Sequence, residues 1–276
     1  MKYFAVIVLY NKRTQDSVTL NRLLMLSPKQ LTSIVLDNSD KDYISNNKSY
    51  CEHNGIQYYC LQGNRGISKA YNYALDLLYN EKKNDIVIWL DDDTAISQEY
   101  FDCLNRYSSL EEYDVFAPII RGQNGVIYSP CKTGWLKGHY INDIRQSIPD
   151  RKFTAINSCL AVRLKIYEKY RYDENLFLDC VDTLFFDNLR AKGKHFFLLP
   201  VEIQQNFFQR GEIDSRKLWN RFRIRINDTK YYSKLGGFRC HVAGYIRIIG
   251  WALQFSFKTK SAIFFFEVYQ TDGLIR

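Results

Sequence analysis

The 276-residue chain reads as an α/β protein, a domain over residues 1–203 with a mostly parallel central sheet, followed by a helical C-terminal extension over residues 204–276. Three observations carry that reading. Short β-branched runs alternate with helical patterns through the first half, which is the rhythm of βαβ units. Runs such as residues 86–90, IVIWL, are apolar throughout, as strands covered on both faces are. Past about residue 204 the alternation stops, and Arg and Lys interleave with Tyr, Phe, Trp and Ile to the end.

Taken in order, FAVIVLY opens the chain as a first buried strand. It is too short for a signal-peptide core and lacks a small-residue cleavage site. A helix is expected near residues 19–26, a second strand at SIVLDNS, a third at IQYYCL, and a helix over residues 67–78. DIVIWL is the next strand and runs directly into three aspartates. A helix over residues 100–110 and a strand at 114–118 lead to a looser stretch, 121–152, rich in Gly, Asn and Ser. A strand and helix over 155–170 follow, then a loop carrying Asp179 and Asp182, a helix ending at Lys192 and a strand over 195–200. The longest uncharged apolar stretch near the C-terminus, residues 248–257, falls short of the roughly 20 residues a spanning helix needs.

Net charge narrows the partners. A formal charge of +8 favours something anionic: a nucleotide diphosphate, nucleic acid, or a surface of acidic lipid. Seven cysteines form no CxxC pair and no zinc-ligand spacing, so they read as reduced thiols of a cytoplasmic protein. No internal period marks a repeat array.

The chemistry concentrates at strand ends. Three strands finish on Tyr10-Asn11, Asp37-Asn38 and Asp91-Asp92-Asp93, and ligands of open parallel sheets bind in the crevice beyond those ends. Three adjacent carboxylates repel one another unless a cation compensates. Oxygen donors without a Cys or His cluster favour Mg²⁺ or Mn²⁺, which bridge nucleotide phosphates. The plain alternative is a solvated acidic turn ahead of a helix beginning near Ser97.

Together these segments resemble the inverting family 2 glycosyltransferases of GT-A type, whose Rossmann-like nucleotide-binding domain carries a DxD motif at the end of such a strand. VIVLYNK resembles the family's opening strand, VLDNSD its second, and NRGISKAYNYAL its Asn-x-Gly-x-x-x-Ala-x-Asn segment, in the family's order. The resemblance implies that Tyr10, Asn11 and Asp37 line the pocket for base and ribose. It implies that Asn64, Gly66 and Asn72 shape the wall near the diphosphate, with Asp91 and Asp92 also on the donor and Asp91 and Asp93 on the metal, Mn²⁺ or Mg²⁺. DENLFLDCVDTLFFDNLRAKG resembles the acidic segment of the rhamnosyl- and galactofuranosyl-transferring branch. There Asp182 matches the position of the base that takes the acceptor proton, with Asp179 as the alternative; an N-cap role would also suit Asp182. The chain departs from the family in having Leu184 and Asn188 where a second acid and an Arg are frequent. It also lacks a metal-shell His after the next strand, where Gln205 or Asn206 stands.

The implied activity is inverting, non-processive transfer from a UDP- or dTDP-sugar to a saccharide or lipid-linked saccharide in bacterial surface polysaccharide synthesis. The basic aromatic C-terminal region then suits peripheral attachment at the inner face of the membrane, or packing on the core or a second copy of the chain. Two other classes compete. A nucleotidyltransferase should show a Gly-rich phosphate loop after the first strand, and NKRTQDS has the charge without the glycine. A non-catalytic nucleic-acid binder would use the basic aromatic tail as a stacking platform; metal-dependent binding of UDP or dTDP with no retention on nucleic acid at moderate salt would exclude it.

Overall fold

A computed structural model describes residues 1–26, 28, 30–135, 138–143, 147–205, 215–261, 263, 264 and 268. Its strands are β1 (Tyr3–Leu9), β2 (Leu31–Asp37), β3 (Gln57–Cys60), β4 (Ile86–Leu90), β5 (Val115–Gly122), β6 (Ile127–Ser129), β7 (Cys131–Lys132), β8 (His139–Tyr140), β9 (Phe153–Thr154), β10 (Leu160–Arg163) and β11 (Phe196–Gln205). The helices are α1 (Val18–Leu26), α2 (Lys41–His53), α3 (Ile67–Leu77), α4 (Gln98–Tyr107), α5 (Val181–Ala191), α6 (Ser215–Leu235) and α7 (Gly237–Thr259). The mixed α/β architecture with a mostly parallel sheet is therefore present as expected.

The main sheet runs β11-β5-β10-β4-β1-β2-β3, with β6 on the edge of β5. Only β10 and β6 are antiparallel to their neighbours. Alternation of side chains across each strand sends Val87 and Trp89 to one layer and Ile86, Ile88 and Leu90 to the other. The first layer is covered by α3 and α5, the second by α1, α2 and α4, and both contribute fully buried residues. Within the first, Trp89 Nε1 donates to Tyr167 Oη at 2.8 Å, and that hydroxyl shares a 3.0 Å hydrogen bond with Tyr172, so the deep aromatic cluster leaves no polar ring atom unpaired there.

The loose stretch is not featureless. β7 pairs with β8 and β9 in a small antiparallel sheet standing beside the main one. The segment expected to hold a strand and a helix over 155–170 has β10 and then only a 3-10 turn, Leu164–Glu168. α6 and α7 form a hairpin with its own apolar seam of Phe222, Ile226, Ile248, Ala252 and Phe264. Its contact is close enough that a Cβ at Gly244 would stand 2.6 Å from Ser233 Cβ.

Candidate active site

Because β1, β2 and β4 are parallel and adjacent, their C-terminal ends emerge on one edge of the sheet. A cleft opens there, lined among others by Tyr10, Asn38, Asn64, Gly66, Asp91, Asp92, Asp93, Phe177 and Gln205. The acidic turn is held from behind. Ser17 Oγ donates to the Asp92 carbonyl at 2.8 Å, while Thr19 Oγ1 donates to the carbonyls of Asp91 and Thr94 and accepts from the Thr94 amide at 2.9 Å.

The three carboxylates diverge in environment. Asp92 turns to Lys12, whose Nζ lies 2.9 Å from its Oδ2. Asp91 and Asp93 instead converge on one group, the Gln205 side-chain amide, with Nε2 at 2.9 Å and 3.3 Å from their oxygens. Burial pushes Asp91 up to about 6, helped by the charges of Asp93 and Asp92 and opposed by the Gln205 hydrogen bond. Burial and Asp92 also raise Asp93. Gln205 reaches this point because β11 carries a bulge between Leu198 and Glu202 and its last residue bridges to Thr94.

Among the described residues no three acids, His or Cys gather closely enough to hold an ion by themselves. The donor set nevertheless fits a hard cation. Two carboxylates with raised proton affinity face one another, and the Gln205 Oε1 beside them is buried without a hydrogen-bond partner. Turning the amide about its last torsion would present that oxygen to a cation lying between the acids. Such a site has few protein ligands, leaving the remaining positions to phosphate and water oxygens. Asn206 lies outside the described residues.

The other predicted residues separate into two groups. Tyr10 is 54% exposed at the cleft mouth. Asn64 Oδ1 accepts from the Gly66 amide at 3.2 Å. Gly66 has φ +83°, and a Cβ there would meet both the ring and the carbonyl of Phe177 at 2.8 Å, so only glycine permits the close approach. Asn11, Asp37 and Asn72 are not in the cleft lining. Asn11 is tied to Ser39 and Asp40. Asp37 is fully buried and accepts from the Ser39 amide, Asn47 Nδ2 and the Tyr58 hydroxyl, holding β2, α2 and β3 together. Asn72 donates to the Tyr172 carbonyl and Glu174 and accepts from the Tyr172 amide, fastening α3 to the segment ahead of α5.

Asp179 and Asp182 line a second cavity bounded by β7, β8, α5 and the α6–α7 hairpin. They are not equivalent. Asp179 is engaged by Arg221 through both guanidinium ends and by Arg225 Nε at 3.5 Å. Asp182 is half-buried and, among the described residues, pairs with no cation and accepts only from its neighbour Thr183, whose amide lies at 2.7 Å. Burial pushes it up to about 6, with the charges of Asp179 and Asp91 adding to the rise, so the two cavities adjoin electrostatically. Nor is Asp182 a cap: the residue before the helix is Cys180, in the left-handed region at φ +63°, with no side-chain cap bond.

One residue was missed in the sequence. Asp228 of α6, 2% exposed, accepts the amides of Phe177, Leu178 and Asp179 at 3.0, 2.8 and 2.7 Å. A single carboxylate thus sets the loop that joins the two cavities. A signal existed, since Asp228 is the sole acid in the basic run 215–266. Replacing it by Ala leaves three amides unsatisfied and is expected to cost about 3 kcal/mol of stability. Thermal or urea unfolding of Asp228→Ala, against a milder Asp228→Asn, checks this; an unchanged midpoint would show the loop is held elsewhere.

The family model described as "Glycosyl transferase family 2" matches residues 4–171. The chain is 27% identical over 186 residues to a dTDP-rhamnosyl transferase of Shigella flexneri, covering 65% of this chain and 60% of that protein. It thus spans less than two thirds of the length of that relative. Among solved structures, the mannosyltransferase of Pyrobaculum calidifontis with GDP-Man and Mn²⁺ superposes with a TM-score of 0.59 at 13% identity, covering 91% of this chain and 75% of that one. TarS of S. aureus with UDP-GlcNAc gives 0.54 at 16% identity, covering 82% and 66%. At these identities the structural likeness speaks to the fold, which is GT-A.

Proposed function

The chain belongs to glycosyl transferase family 2, and from that membership we propose that it transfers a sugar with inversion, non-processively, from a UDP- or dTDP-linked donor to a saccharide or lipid-linked saccharide. The observation that carries the proposal is the pairing of two adjoining cavities, one with converging acids and one with a single unpaired carboxylate. In the first, Tyr10, Asn64 and Gly66 border the donor, and Asp91, Asp93 and Gln205 are the residues that would hold Mn²⁺ or Mg²⁺. A divalent cation there supplies charge neutralisation to the departing diphosphate. In the second, Asp182 accepts the proton of the acceptor hydroxyl as that oxygen attacks the anomeric carbon on the face opposite the leaving group. Its raised proton affinity makes it a stronger base than an ordinary carboxylate while leaving it ionised near neutral pH. Asp179, neutralised by two arginines, orders the hairpin that closes this cavity. Paired replacement of Asp182 and Asp179 by Asn, with transfer and donor binding measured on each, tests the assignment.

The same reading places the protein at an anionic membrane surface, where a lipid-linked acceptor is found. No helix among the described residues is long and apolar enough to cross a bilayer. The outer face of α7 instead shows Phe238, Val242, Ile246, Ile249, Leu253 and Phe257, a stripe at helical spacing with its end residues 83% and 81% exposed. No acid occurs between Asp228 and Glu267, and Arg239, Lys258 and Lys260 of the same segment are exposed. Trp251 and Phe255, by contrast, turn inward against the hairpin seam: Phe255 packs on Phe222 and Phe264 at centroid distances of 5.4 and 5.6 Å. Phe238→Asp with Phe257→Asp is expected to lower binding to anionic vesicles at least tenfold, and salt to weaken the wild-type interaction. Undiminished vesicle binding, or a wild-type dimer that the double variant dissolves, would reassign the stripe.

A further inference from the structure

We propose that Arg247 and Arg225 form a phosphoryl-binding subsite beside Asp182, one that seats the phosphate or diphosphate carried by the acceptor. This deepens the transferase reading above and rests on it. Both arginines line the Asp182 cavity. Both guanidinium carbons also lie over one indole, that of Trp251, at 5.0 Å for Arg247 and 5.1 Å for Arg225. Ring contact fixes the planes of the two groups and leaves their N–H edges to be used.

Charge within the cavity calls for an anion. Asp179 is already met by both ends of Arg221, so Arg225 is the second cation on one carboxylate. Arg247 has no carboxylate within ion-pair range among the described residues. Two like charges held to a single ring in a half-buried wall repel one another, and an anion with several oxygens answers both forks at once. A neutral saccharide would satisfy neither. Thr229, 1% exposed, lines the same cavity, with its hydroxyl beside the Cys180 thiol.

The helix itself relates the subsite to the membrane stripe. Arg247 and Trp251 face the cavity from α7, while Ile246, Ile249 and Leu253 of the same turns face outward, 42–47% exposed. One helix therefore presents apolar surface on one side and a cationic wall near the base on the other. A headgroup entering from a bilayer held by that stripe meets Arg247 before its sugar hydroxyl reaches Asp182.

The test uses the full chain in EDTA, so that no metal recruits anions to Asp91 and Asp93, and titrates inorganic pyrophosphate by calorimetry. Arg247→Ala and the milder Arg247→Gln are each expected to weaken binding tenfold or more, with folding followed by circular dichroism. Arg106→Ala, an exposed arginine on α4, should leave it unchanged. Farnesyl diphosphate binding more tightly than pyrophosphate would identify a lipid headgroup as the source; equal binding would identify a free or water-soluble phosphate ester. Equal pyrophosphate affinity in wild type and both Arg247 variants, or none in the wild type at millimolar concentration, overturns the subsite. Loss of pyrophosphate binding in those variants, with no turnover of any nucleotide sugar by the wild type, would retire the transferase reading and the acceptor role with it.

Discussion

Asp182→Asn is expected to lower transfer by about three orders of magnitude, within the usual range for a lost general base, while donor affinity stays within about twofold of wild type. The amide keeps the shape of the carboxylate and its acceptance from Thr183, but it cannot take up the acceptor proton. Asp179→Asn should do much less to the chemical step, because its oxygens already face Arg221 and Arg225; its effect should fall on stability of the hairpin. Reversal of that ranking would move the base to Asp179.

The raised proton affinity of Asp182 adds two pH signatures. Activity requires the ionised form, so kcat/KM should rise with pH through a limb near 6 that is absent from the residual activity of Asp182→Asn. Stability moves the other way. The folded state holds its proton more tightly than the unfolded chain does, so between about pH 4 and 6 the native state binds more protons, and stability falls as pH rises through that window. Above it the charged carboxylate is a cost of folding that Asn removes, and the variant should melt about 3 °C higher at pH 7. An inactive variant that is also less stable would indicate a structural role.

The second large effect is expected at the acidic turn. Asp93→Ala should abolish detectable turnover and remove the Mn²⁺ dependence of nucleoside-diphosphate binding, with folding retained, because the turn's backbone is held by Ser17 and Thr19 rather than by the carboxylate. Asp91→Ala should act similarly, since both acids converge on Gln205. Asp92→Ala should be milder, its carboxylate being directed at Lys12. Calorimetry of UDP and dTDP with Mn²⁺ and with EDTA measures each case. Metal-dependent binding that survives in Asp93→Ala would remove Asp93 from the site.

Much of this was legible because parallel strands advertise themselves. Fully apolar β4 ending in three aspartates fixes both a strand and the sheet edge at which its carboxylates emerge, and the β1 and β2 endings follow the same logic. What depends on tertiary contacts was not legible. α2 went unread because it buries little beyond Asn47 and Cys51, leaving almost no apolar stripe. Asp37 and Asn72 carry the side chains of the resembled motifs, yet the structure turns them to internal hydrogen bonds, with Asn47 and Tyr58 10 and 21 residues on for Asp37 and with Tyr172, 100 residues on, for Asn72. The division between Asp179 and Asp182 is likewise set by Arg221 and Arg225, about forty residues away. In the sequence those arginines look like surface charge.

Under the proposed function, adjoining metal and base sites serve sugar transfer from a nucleotide donor. Product analysis with a panel of UDP- and dTDP-sugars in Mn²⁺, following nucleoside-diphosphate release and the anomeric configuration of the product by proton NMR, measures that transfer most directly. Release of nucleoside diphosphate from a sugar nucleotide, dependent on Mn²⁺ and on Asp182, with inverted configuration in the product, is the predicted result. Retained configuration, or pyrophosphate released from a nucleoside triphosphate with no sugar nucleotide consumed, would contradict it.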